Sequence, residues 1–203
     1  WMRPTLFITD VLGASMVSDR ADNLSSVQST GVGSTIREIQ IPTTLGGEKI
    51  GTKTGLSTPT VVDLDGDEIA DLAYAGDQNG NIYRFDFRKD TGDWKAGMLF
   101  KGNEKRPISI APKIYREDGS NKLVVLFGTG SEIYESDANI SDSDSSSAEN
   151  LQEMYGVVDD VDISPENMIP VNRDSLQNQA ISTNLTSEGN TYRETSSNEI
   201  GDK

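Results

Sequence analysis

Residues 63–71 read Asp63-Leu64-Asp65-Gly66-Asp67-Glu68-Ile69-Ala70-Asp71, five acids in nine positions and no base. So many anions in a short segment repel one another unless a cation neutralises them. The acids alternate, falling at loop positions 1, 3, 5 and 9. A segment that coils around an ion points residues 1, 3 and 5 inward and presents the carbonyl of residue 7. Those are the side chains of Asp63, Asp65 and Asp67 and the carbonyl of Ile69, with Asp71 closing the loop directly or through a water. Ile69 is then free to turn its side chain toward the core as an anchor. The flanks, residues 59–62 and 72–75, are extended β-formers, so the expected unit is strand–loop–strand. A helix–loop–helix EF-hand does not fit. Its sixth position is Gly and its twelfth a bidentate Glu, whereas here Glu68 and Tyr74 occupy them and the Gly is Gly66, at position 4. Calcium, which takes six to eight hard oxygens in a flexible shell, is the cation expected; magnesium demands tighter octahedral geometry.

The rest of the composition narrows the chemistry. With 33 acids against 18 bases the chain carries −15, which repels nucleic acids and anionic membranes. It has no Cys and no His, so disulfides, thiolate or imidazole metal sites and Ser-His-Asp or Cys nucleophiles are excluded within these residues. No stretch approaches the ~20 apolar residues of a membrane-spanning helix. The opening Trp1-Met2-Arg3-Pro4 lacks the pattern of a signal peptide, and the chain reads as a piece of a longer protein.

Along the chain, residues 1–135 read as β structure. Residues 76–80, Gly-Asp-Gln-Asn-Gly, supply turn chemistry, and residues 81–87 follow as a strand. Its alternation places Tyr83, Phe85 and Phe87 on one face and Ile82, Arg84 and Asp86 on the other, the pattern of a half-buried strand. Residues 122–127, Lys-Leu-Val-Val-Leu-Phe, form a continuous apolar run that fits a strand buried on both faces. Residues 154–158 read as one further short strand. Residues 136–150 hold six Ser, four acids and no base, so a mobile insert is expected there. An irregular tail is expected over residues 166–203. Short strands with Gly-rich turns and no amphipathic helix indicate an all-β fold, a sandwich or a propeller. At ~40–50 residues per blade the length suits an open arc, a partial propeller.

Weaker signals have plainer readings. Residues 127–131 have the glycine density of a phosphate loop but no Lys-Ser/Thr pair after it, so a turn is expected. Asp159-Asp160 suggests acid–base work, but the sequence offers no partner, and a solvated strand end is the expectation. Trp94 and Tyr134 suit packing between blades.

Residues 57–86, from Ser57-Thr58-Pro59 through the acidic loop to Tyr74-Ala75-Gly76-Asp77, Gly80-Asn81 and Arg84-Phe85-Asp86, resemble the C-terminal β-propeller domain of the PilY/PilC type IV pilus biogenesis and tip-associated family. Further pieces match in order: Leu99-Phe100, Arg106-Pro107-Ile108, Ala111-Pro112, residues 126–130, Ser136-Asp137 and residues 155–159. Residues 55–160 carry the resemblance, 1–54 match poorly and the tail beyond about 165 hardly matches. The resemblance implies a modified propeller fragment spanning residues 1–203, with blade strands and the calcium loop in 55–135 and a strand in 151–165. It implies Ca2+ held by Asp63, Asp65, Asp67, the Ile69 carbonyl and Asp71. It further implies a non-enzymatic protein of the cell envelope or surface (periplasm, outer membrane or secreted). Its partners would be type IV pilus components, namely minor pilins and the pilus tip, and host-cell or abiotic surfaces. Calcium in that family is tied to opposing pilus retraction, to twitching motility and to adhesion. Glu68 departs from the Gly usual after the third loop Asp. Two other classes share parts of the pattern. Blades of quinoprotein dehydrogenases resemble residues 74–83 but hold calcium outside a compact loop, and integrin-like calcium blades occur in other surface adhesins.

Overall fold

The computed structural model describes residues 4–9, 35–50, 55–89, 93–116, 119–131, 151–186, 188 and 191–198. Strands β1 (Thr5–Thr9) and β2 (Thr35–Gln40) form one antiparallel pair, and β3 (Thr44–Leu45) and β4 (Glu48–Lys49) a second. Next come β5 (Thr60–Val62), β6 (Leu72–Gly76), β7 (Ile82–Asp86) and β8 (Lys95–Lys101), an antiparallel meander. Strands β9 (Lys113–Arg116), β10 (Lys122–Gly128) and β11 (Met154–Asp160) make a second antiparallel sheet. Strand β12 (Val171–Asn172) adds to β8 in parallel, and β13 (Ile181–Leu185) pairs with β14 (Thr191–Thr195). The described residues contain no α-helix, and the sheets form an open arc of the kind expected of a partial propeller.

Strand β7 sits at the middle of the meander and is buried on both faces. The expectation of a half-buried strand is therefore corrected. One face, Tyr83 and Phe85, packs with Ala73, Ala75, Ala96 and Met98 beneath Ile39, Ile41 and Ile50 of the N-terminal segment. The other face looks toward the second sheet, where Leu72, Tyr74, Ile82 and Phe100 meet Leu123, Val125, Phe127 and Val157. A bulge in β8 leaves Leu99 without a partner on β7, so that Leu99 and the next residue, Phe100, both enter this shared core. The opposite correction applies to β10. Leu123, Val125 and Phe127 are buried, while Leu126 is 42% exposed and Val124 only half-buried. The apolar run fills one face, because no described element covers the other.

The polar residue that made β7 look half-solvated is Arg84, and it is fully buried. Its Nη1 reaches Asp159 Oδ1 at 2.8 Å and donates to the Asp160 carbonyl at 3.2 Å, while Nη2 donates to the Ile163 carbonyl. The Tyr74 hydroxyl donates to Asp159 Oδ2 at 2.6 Å, and burial pushes that phenol well above its ordinary pKa. Asp159 is thus no solvated strand end; it is 3% exposed and joins the two sheets. Beside it, Arg88 pairs bidentately with Asp86 and donates to the Val161 carbonyl at 2.7 Å. The turn after β6 confines a second buried carboxylate. Asp77 accepts from the Asn79 and Asn81 amides, each at 2.9 Å, from Asn81 Nδ2 at 3.0 Å and from Tyr83 OH at 2.8 Å. With no cation among those donors, desolvation raises its pKa.

The tail is more regular than its composition suggests. A short 3-10 turn, Pro165–Asn167, seats against β8 at Gly97, where an added Cβ would lie 2.3 Å from Met168 Sδ and 2.9 Å from the Pro165 carbonyl. Strand β12 then extends the sheet, and β13–β14 follows as a hairpin whose described side chains are mostly exposed. The Ser/Asp-rich insert expected over 136–150, and Tyr134, lie outside the described residues.

Removing one member of a buried, hydrogen-bonded ion pair strands the other in low dielectric. Arg84→Met is therefore expected to lower the free energy of unfolding by about 3–5 kcal/mol, measured by urea denaturation. Arg84→Met combined with Asp159→Leu should recover most of that loss; equal losses in the single and double variants would contradict this account of the seam.

Candidate cation site

The acidic loop connects β5 to β6, with its ends held by backbone hydrogen bonds. The Asp71 amide donates to the Val62 carbonyl at 2.9 Å, and the Phe87 amide to the Asp71 carbonyl at 2.8 Å. Asp71 is 2% exposed, yet its Oδ2 accepts from the Leu64 amide at 2.7 Å and so closes the loop on itself. The other acids organise the turn by side-chain-to-amide bonds typical of Asp in tight loops. Asp63 accepts from Gly66 at 2.7 Å and from Glu68 at 2.8 Å. Asp65 Oδ1 accepts from the Asp67 amide at 3.2 Å, and Asp67 Oδ1 from the Ile69 amide at 2.8 Å. The Gly66 amide, seconded by that of Glu68 and opposed by slight desolvation, holds the Asp63 carboxyl below the ordinary range.

This folding brings one oxygen each from Asp63, Asp65 and Asp71 within 4.8 Å of one another. Asp67 is not part of that convergence; its Oδ1 faces the Ile69 amide. Ile69 is half-buried and joins neither core cluster, so it is not the loop's anchor. That role falls to Leu64, which packs against the core between the sheets, and to Ala70, which packs on the opposite face. Two further residues reach the site that the sequence did not single out. Arg116 of β9 donates through Nη1 to the Leu64 carbonyl at 2.5 Å. Arg88 lies close enough to Asp71 for that carboxylate to add to the effect of its main partner, Asp86, in raising the guanidinium pKa. Neither contact has a local sequence signal, because both depend on which strands the fold sets side by side. The donor set is carboxylate oxygen throughout and suits a hard divalent cation.

The departure at Glu68 has a clear structural counterpart. Its φ is +68°, and among the described residues it is the only non-glycine with positive φ. The loop keeps at position 6 the left-handed turn for which calcium loops use Gly, and does so with a side chain that disfavours it.

The fold and this loop define the class of protein: a β-propeller domain with an acidic strand–loop–strand insert. The PilY1 beta-propeller domain family matches residues 15–188, and the chain belongs to that family. Over 138 residues it is 33% identical to the type IV pilus biogenesis factor PilY1 of Pseudomonas aeruginosa strain UCBPP-PA14, covering 54% of this chain and 11% of that protein. Over 112 residues it is 30% identical to a PilY1 homolog of Xylella fastidiosa strain Temecula1, covering 52% of this chain and 8% of the relative. The chain thus spans about a tenth of the length of these curated relatives. The crystal structure of the P. aeruginosa PilY1 C-terminal domain superposes with a TM-score of 0.60 at 22% identity, over 85% of this chain and 40% of that one. That likeness establishes the fold.

Relief of the left-handed conformation is measurable. Glu68→Gly is expected to stabilise the protein by about 1 kcal/mol, raising the melting temperature by roughly 2–4 °C at this size. Gly66→Ala, at φ +80°, should lower it. Thermal melts in which Glu68→Gly is neutral or destabilising would contradict the strain.

Proposed function

We propose that this domain is a calcium-binding, non-enzymatic module of a type IV pilus biogenesis factor, and that calcium in its loop favours pilus extension over retraction, and with it twitching motility and surface attachment. The observation that carries the reading is the convergence of Asp63, Asp65 and Asp71 in a loop set between two strands of a PilY1-family propeller. These three supply the primary ligands; Asp67 and the Ile69 carbonyl complete the shell by a small rotation once the ion is in place. The partners are pilus components at the cell envelope or surface, and a host-cell or abiotic surface.

The chemistry is electrostatic ordering. Carboxylates that repel one another in the empty loop attract a shared cation, and the loop's backbone is fixed around it. An ion that binds only the folded form stabilises it in proportion to the logarithm of its activity above Kd. Calcium sites of extracellular modules typically have Kd of ~10⁻⁴–10⁻³ M, so millimolar external calcium fills them. Protons compete with the cation. Because the folded pKa of Asp63 is depressed, its contribution is present above the ordinary carboxylate value and is lost as pH falls through the lower folded value.

Calorimetric titration of the chain with calcium tests this. One site is expected, abolished by Asp63→Ala and weakened, but not abolished, by Asp67→Ala. No heat of binding in the unsubstituted chain at millimolar calcium, or equal affinity in all three proteins, would overturn the reading.

A further inference from the structure

We propose, building on calcium occupancy of the loop, that the loop is coupled through Leu64 and Arg116 to the neighbouring sheet, so that calcium tightens the seam between β5 and β9 and its loss loosens that seam. Leu64 lies between the first two candidate ligands and is held at three points. Its amide donates to Asp71 Oδ2 at 2.7 Å, its carbonyl accepts from Arg116 Nη1 at 2.5 Å, and its side chain packs against the core that the two sheets share. One residue therefore touches a candidate ligand, the adjacent sheet and the apolar interior at once.

The seam it braces is thin. Strands β5 and β9 belong to different sheets and share no ladder. Side-chain bonds to carbonyls join this edge: Thr60 Oγ1 to Pro112 at 2.5 Å, Ser57 Oγ to Ile110 at 3.5 Å, and Arg116 to Leu64. Ser57 is half-buried and Arg116 exposed, so water competes for these bonds. Beside the Arg116–Leu64 bond lies a cavity of about 140 Å³ lined by Leu64, Arg88, Arg116, Asn121, Leu123 and Val161, among others. Leu64 and the Arg116 guanidinium therefore have space to shift when the loop relaxes. A cation on Asp71 fixes the carboxylate that holds the Leu64 amide, which in turn fixes the carbonyl offered to Arg116. Whatever ordering calcium imposes on β9, the β9 contact must return as calcium affinity, because coupling free energies are reciprocal.

The sign of one substitution separates this coupling from simple charge. Arg116 carries a positive charge beside a cation site, so Coulomb repulsion alone predicts that Arg116→Ala binds calcium more tightly. Coupling through Leu64 predicts weaker binding.

The test is backbone hydrogen exchange of the 203-residue chain with calcium and with chelator, alongside calorimetric calcium titration. In the unsubstituted chain calcium should slow exchange in β9 and the adjoining end of β10 by about 5-fold or more, in addition to the loop. In Arg116→Ala the loop should still gain protection but β9 should not, and Kd should rise by about 5-fold. Arg116→Lys, which keeps the charge and one donor, should fall between the two and guards against an unfolded alanine variant. Calcium binding to the unsubstituted chain with unchanged β9 exchange would overturn the coupling and leave the calcium site standing. So would unaltered or tighter binding by Arg116→Ala. No binding to the unsubstituted chain would instead sink the calcium reading, and the coupling with it.

Discussion

A carboxylate withdrawn from water must be neutralised or saturated with donors, and this chain meets that constraint in three ways. Asp159 is met by Arg84 and Tyr74 from the other sheet, which makes the seam between sheets an ion pair rather than a purely apolar contact. Asp77 is met by four neutral donors from its own turn and strand, which sets the geometry of the β6–β7 connection. Asp71 is met by the Leu64 amide, but it also faces Asp63 and Asp65 across less than 5 Å, in a loop that contains no base. In the first two, the carboxylate is met by donors of the protein itself. The third is the arrangement to which, on the function proposed above, a cation is added, so the loop rather than either buried cluster is the place where an external ion would act.

Local chemistry was legible in the sequence, and non-local chemistry was not. The acidic loop, its flanking strands and the Gly76–Gly80 turn are each specified by residues a few positions apart, and all stand where residue type and spacing place them. The family too was legible, because its motifs are collinear and local. The faces of the strands were not. Period-2 alternation shows that β7 has two different faces, but it cannot tell a solvated Arg84 from one whose partner, Asp159, lies 75 residues on. The same limit misassigned β10, whose apolar run suits burial on both faces while the fold covers one. Strand β8 carries Gly97, a poor strand former that is required where Pro165 and Met168 approach, so the propensity signal was weak where packing is close. Strands β13 and β14 are mostly exposed and carry no alternation to read. Within the site, spacing singled out Asp63, Asp65, Asp67 and Asp71, of which the fold brings Asp63, Asp65 and Asp71 together, but it did not show that Leu64, rather than Ile69, anchors the loop. That depends on which side of the loop faces the second sheet.

The arrangement also suggests how a small ion can influence a large assembly. The loop lies at the end of the arc where β5, β7, β9 and β11 terminate or turn, close to Arg88, Arg116 and the residues after β11. The proposed cation would therefore act on the edge where two sheets meet rather than on an isolated surface loop. On the proposed function, that edge would link calcium concentration to the shape the domain presents.

The most direct test of the central claim is anomalous diffraction from a crystal of the chain soaked in calcium. The account predicts a peak bounded by carboxylate oxygens of Asp63, Asp65 and Asp71, at ~2.3–2.6 Å from each. A well-ordered loop holding only water among those side chains would contradict it.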